Sequence, residues 1–457
     1  MSNKLSDIVN FNPSRILKKG TVAPFIEMAS LPTNTKFIKQ IDEKPFSGGS
    51  KFKNGDTLFA RITPCLENGK TGKVTNLKDE IIGHGSTEFI VISAKEPEFD
   101  EDYIYYFARL SEFREFAQQR MVGTSGRQRV AWQDLADFEF IFPPKEQRKK
   151  AAALLNIYDQ KIDLNTEINQ TLEQIAQALF KSWFVDFDPV RAKVQALSDG
   201  LSLEQAELAA MQAISGKTPE ELTALSQTQP ERYAELAETA KAFPCEMEEI
   251  DGVEVPKGWE VKPLPEIIDF LEGPGIRNWQ YTDEEDGIKF INIRCIQNGD
   301  LTLTTANKIT KEEAFGKYKH FQLEEDDIVV STSGTLGRFA FVRKEHLPLS
   351  LNTSVIRFRP IKNKSTLGFI AGFVENQLQH ELEIRASGSA QRNFGPTHLK
   401  QISLLLPNFK LLELHQKYAS SLFEKRKQLL SEIDVLKDTR DLLLPKLLNG
   451  EFIKWKT

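Results

Sequence analysis

The chain has 457 residues, which at roughly 100–200 residues per domain is enough for two to four domains. Its 40% hydrophobic and 27% charged residues are typical of a globular protein and exclude a mainly disordered chain. No stretch approaches the ~20 apolar residues of a membrane helix, and three cysteines make no disulfide framework, so we expect a cytoplasmic protein without membrane contact.

The net charge of −6 is unevenly distributed along the chain. Residues 186–254 contain 15 acidic and 5 basic residues, a net charge of −10, so the rest of the chain has a net charge of +4. We therefore expect the acidic segment to face solvent or protein, while the remainder can present a basic face to nucleic acid.

The sequence repeats itself at an offset of about 265 residues. The matched segments are 25–28 with 290–293, 55–58 with 326–329, 86–90 with 352–356, 135–143 with 399–407, and 167–168 with 432–433. Each match is weak alone, but five matches in the same order predict a duplicated architecture rather than coincidental patterning.

Each copy begins with short predicted strands and ends in a long predicted helix. In the first copy, residues 58–62, 88–92 and 138–142 have strand patterns, and residues 102–120 have a helical pattern. The predicted parts are a first globular domain at 1–144, a long helix at 145–185, an acidic helical insert at 186–255, a second domain at 256–407, a second long helix at 408–450 and a tail at 451–457.

Apolar side chains recur every three, four or seven residues along each long helix, which predicts a coiled-coil seam. The seam residues are Ile168, Leu172, Ile175, Leu179 and Trp183 in the first helix, and Leu429, Ile433, Leu436, Leu443 and Leu447 in the second. Because each helix has one apolar stripe, we expect the two to pair. If they pair antiparallel, ~50 Å of helix would space two globular parts to meet one face of a DNA duplex a helical turn apart.

Two loops recur at matching places and carry side chains suited to DNA. The loop at 123–129 contains Arg127, Gln128 and Arg129, and its counterpart at 387–393 contains Gln391, Arg392 and Asn393. Arginine pairs with guanine, and glutamine or asparagine with adenine. A solvated turn is the alternative for either loop alone, but recurrence favours nucleic-acid binding.

A second recurring loop follows a predicted strand in each copy. In the first copy it contains Arg61 and Lys70, and in the second Ser333 and Arg338. The Gly-Lys-Thr at 69–71 is no phosphate-binding P-loop, because Pro64 stands where that motif needs glycine. A basic loop facing DNA fits both copies, with a purely structural loop as the alternative.

Motifs of enzymes are missing from the sequence. The six histidines are scattered without metal-ligand spacing, and no Gly-x-Ser-x-Gly, His-Glu-x-x-His or Gly-x-Gly-x-x-Gly pattern is present. We therefore expect no catalytic residue, no metal site and no cofactor on this chain.

Five segments together resemble the DNA-specificity (S) subunit of type I restriction–modification enzymes. They are residues 55–70, residues 123–130 with Leu135 and 143–144, residues 181–189, residues 256–259 (Pro-Lys-Gly-Trp), and residues 443–450. The first copy departs from the pattern because it opens with Asn-Pro-Ser-Arg at 12–15 instead of Pro-x-Gly-Trp, which leaves its N-terminal boundary open.

The resemblance implies an α+β fold of two pseudo-repeated, mixed α/β target-recognition domains separated by a pair of long antiparallel coiled-coil helices, with an inserted helical segment. It implies that the domains read the halves of a bipartite, asymmetric site in double-stranded DNA. It also implies that two methyltransferase (M) subunits and restriction (R) subunits dock on the chain, so that S-adenosylmethionine, ATP and Mg²⁺ belong to those partners.

These observations lead to one hypothesis and two alternatives. The hypothesis is a non-catalytic DNA-reading scaffold, and the alternatives are an interaction scaffold that never binds DNA and an unrecognised nuclease. The predicted DNA-binding residues are Arg61, Lys70, Arg127, Gln128 and Arg129 in the first domain, and Arg294, Ser333, Arg338, Gln391, Arg392 and Asn393 in the second.

Overall fold

The computed structural model describes residues 3–78, 80–124, 126–297, 299–333, 337–385 and 394–451. The chain forms two units, which are described separately: unit 1 comprises the described residues within 1–168 and 429–457, and unit 2 those within 169–428. Each long helix contributes one part to unit 1 and the other part to unit 2.

Unit 1 is built from short strands, three short helices and parts of both long helices. Its strands are β1 (Asn3–Lys4), β2 (Val9–Phe11), β3 (Val22–Ile26), β4 (Asp42–Pro45), β5 (Ser50–Phe52), β6 (Thr57–Ala60), β7 (Thr71–Lys73), β8 (Gly83–Gly85), β9 (Phe89–Ala94) and β10 (Glu139–Phe140). Its helices are α1 (Pro97–Phe107), α2 (Ser111–Gln119), α3 (Trp132–Ala136) and the first part of α4 (Lys145–Phe184).

Unit 2 continues with the acidic insert and a second mixed domain. The insert has the helices α5 (Asp188–Ser198), α6 (Leu203–Ser215), α7 (Pro219–Thr228) and α8 (Pro230–Ala242), and the hairpin of β11 (Met247–Ile250) and β12 (Val253–Pro256). The domain has β13 (Glu260–Pro263), β14 (Ile268–Glu272), β15 (Ile288–Ile291), β16 (Ile296–Gln297), β17 (Asp300–Leu301), β18 (Lys308–Ile309), α9 (Lys311–Phe315), β19 (Ile328–Ser331), β20 (Phe339–Phe341), β21 (Leu349–Leu351), β22 (Val355–Pro360), α10 (Leu367–Asn376), α11 (Leu378–Arg385), α12 (Pro396–Leu399), β23 (Ser403–Leu406) and the first part of α13 (Phe409–Leu448).

The strand order confirms the predicted duplication. The antiparallel sheet β2-β9-β6-β7 of unit 1 recurs in unit 2 as β14-β22-β19-β20. Beside it, the parallel pair β3–β8 recurs as β15–β21, with Phe25 opposite His84 in one copy and Phe290 opposite Ser350 in the other. The equivalent residues Phe25 and Phe290 are 265 positions apart in the sequence, and His84 and Ser350 are 266 positions apart. The offset found in the sequence is therefore the offset of the fold.

In each repeated sheet, a buried aspartate immediately precedes a central strand, β6 or β19, and pairs with an arginine. Arg15 Nη2 donates to Asp56 Oδ1 at 2.9 Å in unit 1, and Arg359 Nε donates to Asp327 Oδ1 at 2.6 Å in unit 2. Both aspartates are almost fully buried, where a carboxylate needs a charged or hydrogen-bonding partner. Arg15 lies in the loop after β2, whereas Arg359 lies in β22, so this pairing could not be derived from the repeat.

Within each unit, α4 and α13 run antiparallel. In unit 1, Lys161 pairs with Glu432 at 3.4 Å, and Asp159 with Arg440 at 2.6 Å. In unit 2, Glu173 lies 3.5 Å from Arg426, and the rings of Trp183 and His415 lie 5.4 Å apart. In both units, residues with higher numbers on α4 contact residues with lower numbers on α13, as expected for antiparallel helices.

The predicted seam of the first long helix coincides with the buried face of α4 only in part, because Ile168 and Ile175 lie outside that face. Ile168 and Ile175 are 36% and 48% exposed, whereas Ala176 and Phe180 are buried and Trp183 is fully buried. One residue corresponds to about 100° around a helix, so the buried face of α4 is rotated from the predicted stripe. Leu172 and Leu179 lie half-buried at the edge of this face.

The predicted stripe of the second long helix lies on the buried face of α13. Leu429, Ile433 and Leu447 are buried, and Leu436 and Leu443 are half-buried. The position between these last two is occupied by the buried Arg440 rather than by an apolar residue.

The acidic insert contains a β-hairpin in addition to its helices. Helices α6, α7 and α8 share a small core of their own, and the buried Lys193 Nζ of α5 donates to the carbonyl oxygens of Ala240 at 3.0 Å and Phe243 at 2.7 Å. Ser202 and Thr218 form capping boxes at the starts of α6 and α7. The Ser-x-x-Gln and Thr-x-x-Glu spacings are sequence signals for these helix starts.

Candidate nucleic-acid interface

In unit 1 the two predicted DNA-binding loops lie side by side. The backbones of Val122 and Arg129 pair through two hydrogen bonds of 2.9 Å, which closes the loop between them into a narrow hairpin. Its second arm adds to the end of β6, because Thr63 N donates to Gln128 O and Gln128 N donates to Thr63 Oγ1, both at 3.0 Å. Segments about 65 residues apart in the sequence therefore form one surface.

Arg129 is held by a carboxylate that the sequence analysis did not single out. Its Nε lies 2.9 Å from both carboxylate oxygens of Glu88, and its Nη2 lies 2.8 Å from Oε1. The side chains are 40% and 23% exposed, so the pair lies at the surface. The hydrogen bonds and charge of Glu88 raise the pKa of Arg129, which is cationic in any case.

The other predicted residues of the first domain have different surroundings. Arg127 is exposed, and its backbone closes the loop by donating to Thr124 O at 3.0 Å. Arg61 is half-buried at the end of β6, and its Nε has no hydrogen-bond partner among the described residues. Lys70 Nζ donates to Met28 O at 2.6 Å, so in this structure its charge stabilises a neighbouring turn.

In unit 2 the corresponding site is described only in part. Arg338 is exposed, and its backbone is fixed by Ser331, whose N donates to Arg338 O at 2.8 Å. Ser333 is half-buried, and Arg294 is exposed in a short turn that leads into β16, a strand that packs beside β20. The predicted residues Gln391, Arg392 and Asn393 lie outside the described residues.

Sequence reasoning missed Glu88 for a physical reason. It lies 41 residues from Arg129, and the two meet only because β9 pairs with β6 and the loop ending at Arg129 adds to the end of β6. In the repeat alignment its position corresponds to Ser354, so the second copy gave no signal for a carboxylate.

Neither a metal centre nor a membrane segment is found in the described part of the chain. Over those residues, no group of three or more histidine, cysteine, aspartate or glutamate side chains is placed to hold a metal ion. Likewise, none of the described helices combines the length and apolar character needed to cross a bilayer.

The fold and its two repeated domains define the class of protein. The family model described as "Type I restriction modification DNA specificity domain" matches residues 2–174 and 256–428, so the chain belongs to this family. The two matches coincide with the two copies of the repeat.

The relatives are specificity subunits. The chain is 40% identical over 431 residues to the type I restriction enzyme HindI specificity subunit of Haemophilus influenzae, covering 92% of each. It is 24% identical over 364 residues to the EcoAI specificity subunit of Escherichia coli, covering 72% of this chain and 60% of the relative. The crystal structure of an S subunit from M. genitalium shares the fold, with a TM-score of 0.50 at 15% identity over 98% of this chain and 96% of that one.

Proposed function

We propose that this chain is the DNA-reading subunit of a type I restriction–modification complex. Each domain reads one half of a bipartite, asymmetric site in double-stranded DNA. The observation that carries the proposal is a duplicated domain, together with arginine-bearing segments at matching sequence positions in the two copies. In the first copy that segment is a loop that lies against the end of the central strand β6, and it carries the exposed Arg127 and the half-buried Arg129. The family membership of the chain supports the same function.

The chemistry of the complex belongs to other chains in this proposal. Two methyltransferase subunits bind S-adenosylmethionine and transfer the methyl group, and restriction subunits use ATP and Mg²⁺ for cleavage. This chain makes and breaks no covalent bond and serves as the scaffold on which those subunits assemble in the cytoplasm. The lack of catalytic motifs in the sequence supports this division.

The long helices set the gap between the two half-sites. Each helix has 40 residues, and their buried faces pack against each other within both units. Helix length is fixed at 1.5 Å per residue, so a helix pair is a suitable spacer between two DNA-reading domains. Because the loops of the two domains differ in sequence, the half-sites differ as well.

Alanine substitution of Arg129 and of Arg392 tests DNA reading. We expect loss of an arginine that reads a base to cost about 1–3 kcal/mol and to relax one position of the site, whereas loss of a phosphate contact weakens binding to all sequences alike. Binding and methylation are measured at several salt concentrations in complex with the methyltransferase subunits. Lys149→Ala, which removes a charge that pairs with Glu98 at 3.0 Å, is the matched control.

The outcomes separate the three hypotheses. Unchanged binding and methylation in both arginine variants would contradict the assignment of these residues. Absence of salt-dependent DNA binding by the complex with its methyltransferase subunits would favour the interaction scaffold that never binds DNA. Cleavage of DNA by the purified chain without partners would favour the nuclease.

A further inference from the structure

The ion pair of Glu88 and Arg129 leaves a defined part of the guanidinium free. Three of its five N–H groups are used within the protein: Nε–H and one hydrogen of Nη2 face Glu88, and one hydrogen of Nη1 donates to Arg127 O at 3.1 Å. One N–H on Nη1 and one on Nη2 have no hydrogen-bond partner among the described residues. Two adjacent N–H groups of this kind match the O6 and N7 acceptors of guanine in the major groove.

The backbone of Glu88 is itself held in place by two hydrogen bonds. Its N donates to Ser86 Oγ at 3.1 Å, and its carbonyl oxygen accepts a hydrogen bond of 3.0 Å from Arg61 N at the end of β6. The carboxylate is therefore attached to the central sheet of the domain rather than to the loop that it holds. A guanidinium that is hydrogen-bonded through two nitrogens to such a carboxylate has little rotational freedom.

A phosphate contact would not benefit from this arrangement. Phosphate attracts any nearby cation, and a partly exposed carboxylate beside it repels the backbone of DNA. Reading a base requires the guanidinium plane to be set in advance, because a bidentate contact depends on orientation. The carboxylate of Glu88 therefore lowers non-specific affinity for DNA, but it fixes the orientation of the Arg129 guanidinium.

We propose that Glu88 is a positioning residue that aims the terminal N–H groups of Arg129 at a guanine in the half-site read by the first domain. The inference rests on the proposed function and extends it by naming the base and the residue that orients its reader. The ligand chemistry is a guanine edge in the major groove of duplex DNA.

The test compares variants of the full chain in complex with its methyltransferase partners. Affinity is measured for a panel of duplexes in which each base pair of the first half-site is varied in turn. We expect Arg129→Ala to reduce discrimination for guanine at one position by about 5- to 150-fold. Glu88→Ala reduces it at the same position, and Glu88→Gln, which keeps one acceptor oxygen, reduces it less. Affinity for unrelated DNA stays constant or rises in both Glu88 variants, because a negative charge is removed.

Two further variants make the result specific. Arg129→Lys keeps the charge but lacks the fork, so it is expected to lose guanine discrimination while keeping affinity for unrelated DNA. Glu98→Gln removes the carboxylate of an exposed ion pair elsewhere in unit 1 and is expected to behave as the unmodified complex. Thermal unfolding of each complex shows whether a variant is folded.

Three outcomes would overturn the inference. The first is a loss of affinity that is equal for all duplexes, and the second is a loss of discrimination at a position where the base is not guanine. The third is full discrimination for guanine in both Glu88→Ala and Arg129→Lys. Failure of the proposed function can be distinguished from failure of this inference, because the unmodified complex would then show no preference for any DNA sequence. Loss confined to one guanine, in the order Glu88→Ala, Glu88→Gln, unmodified chain, supports the inference.

Discussion

His415 of α13 is a buried imidazole without a hydrogen-bond partner. Its ring lies 4.9 Å from the ring of Phe184 and 5.4 Å from that of Trp183, and neither of its nitrogens has a partner among the described residues. Burial lowers the pKa of His415 to about 3, because an apolar environment opposes the charged form. The side chain therefore serves as an aromatic packing element of unit 2.

The depressed pKa predicts a loss of stability in acid. Between pH 6.5 and 3 the unfolded chain binds a proton at His415 and the folded chain does not, so the free energy of unfolding falls as the pH falls. Relative to His415→Leu, we expect the unmodified chain to lose about 1.4 kcal/mol per pH unit below pH 6. Urea unfolding followed by tryptophan fluorescence measures it. The exposed His320→Gln is the control, and parallel pH profiles for His415→Leu and the unmodified chain would contradict this account.

At the scale of elements, the two long helices show what periodicity can predict. Their existence and pairing follow from apolar spacing, but the buried face of α4 includes Asp159, Asn165 and Ala176. A prediction made from the spacing of large apolar residues leaves these three residues out and selects the neighbouring stripe of Ile168 and Ile175. The same limit applied to the candidate site: the loops were visible as arginine-rich turns, whereas Glu88 reaches Arg129 only through strand pairing.

The buried pair of Asp159 and Arg440 predicts a strong effect on the packing of the helices in unit 1. Both side chains are 2% exposed, and Asp159 also accepts a hydrogen bond of 2.7 Å from Tyr106. Because Arg440→Ala leaves a buried carboxylate without its charged partner, we expect a loss of about 3–5 kcal/mol of unfolding free energy, measured by urea titration.

A matched control joins the same two helices at the surface. Lys161 and Glu432 are 43% and 44% exposed, so Lys161→Ala is expected to cost about 0–1 kcal/mol. Similar losses for Lys161→Ala and Arg440→Ala would show that the burial of Arg440 contributes nothing. The double substitution Asp159→Leu with Arg440→Met is expected to recover most of the stability, since it removes both charges.

At the scale of the molecule, duplication accounts for most of the length of the chain, and the acidic segment between the copies accounts for its uneven charge. Two copies of one domain and its helix account for residues 2–174 and 256–428, and the acidic segment lies between them. The copies keep their strand order and differ in the side chains of their loops, so the fold can stay constant while the DNA sequence read by each copy changes.

The most direct test of the central claim is methylome sequencing of a host that carries this chain with its methyltransferase and restriction partners. The account predicts one split motif with two unlike half-sites and a fixed gap. Inserting one heptad into each long helix, after Ile168 and after Gln428, adds ~10 Å of helix and is expected to change the gap while both half-sites stay the same. A continuous motif, or a motif and gap that ignore changes in this chain, would contradict the account.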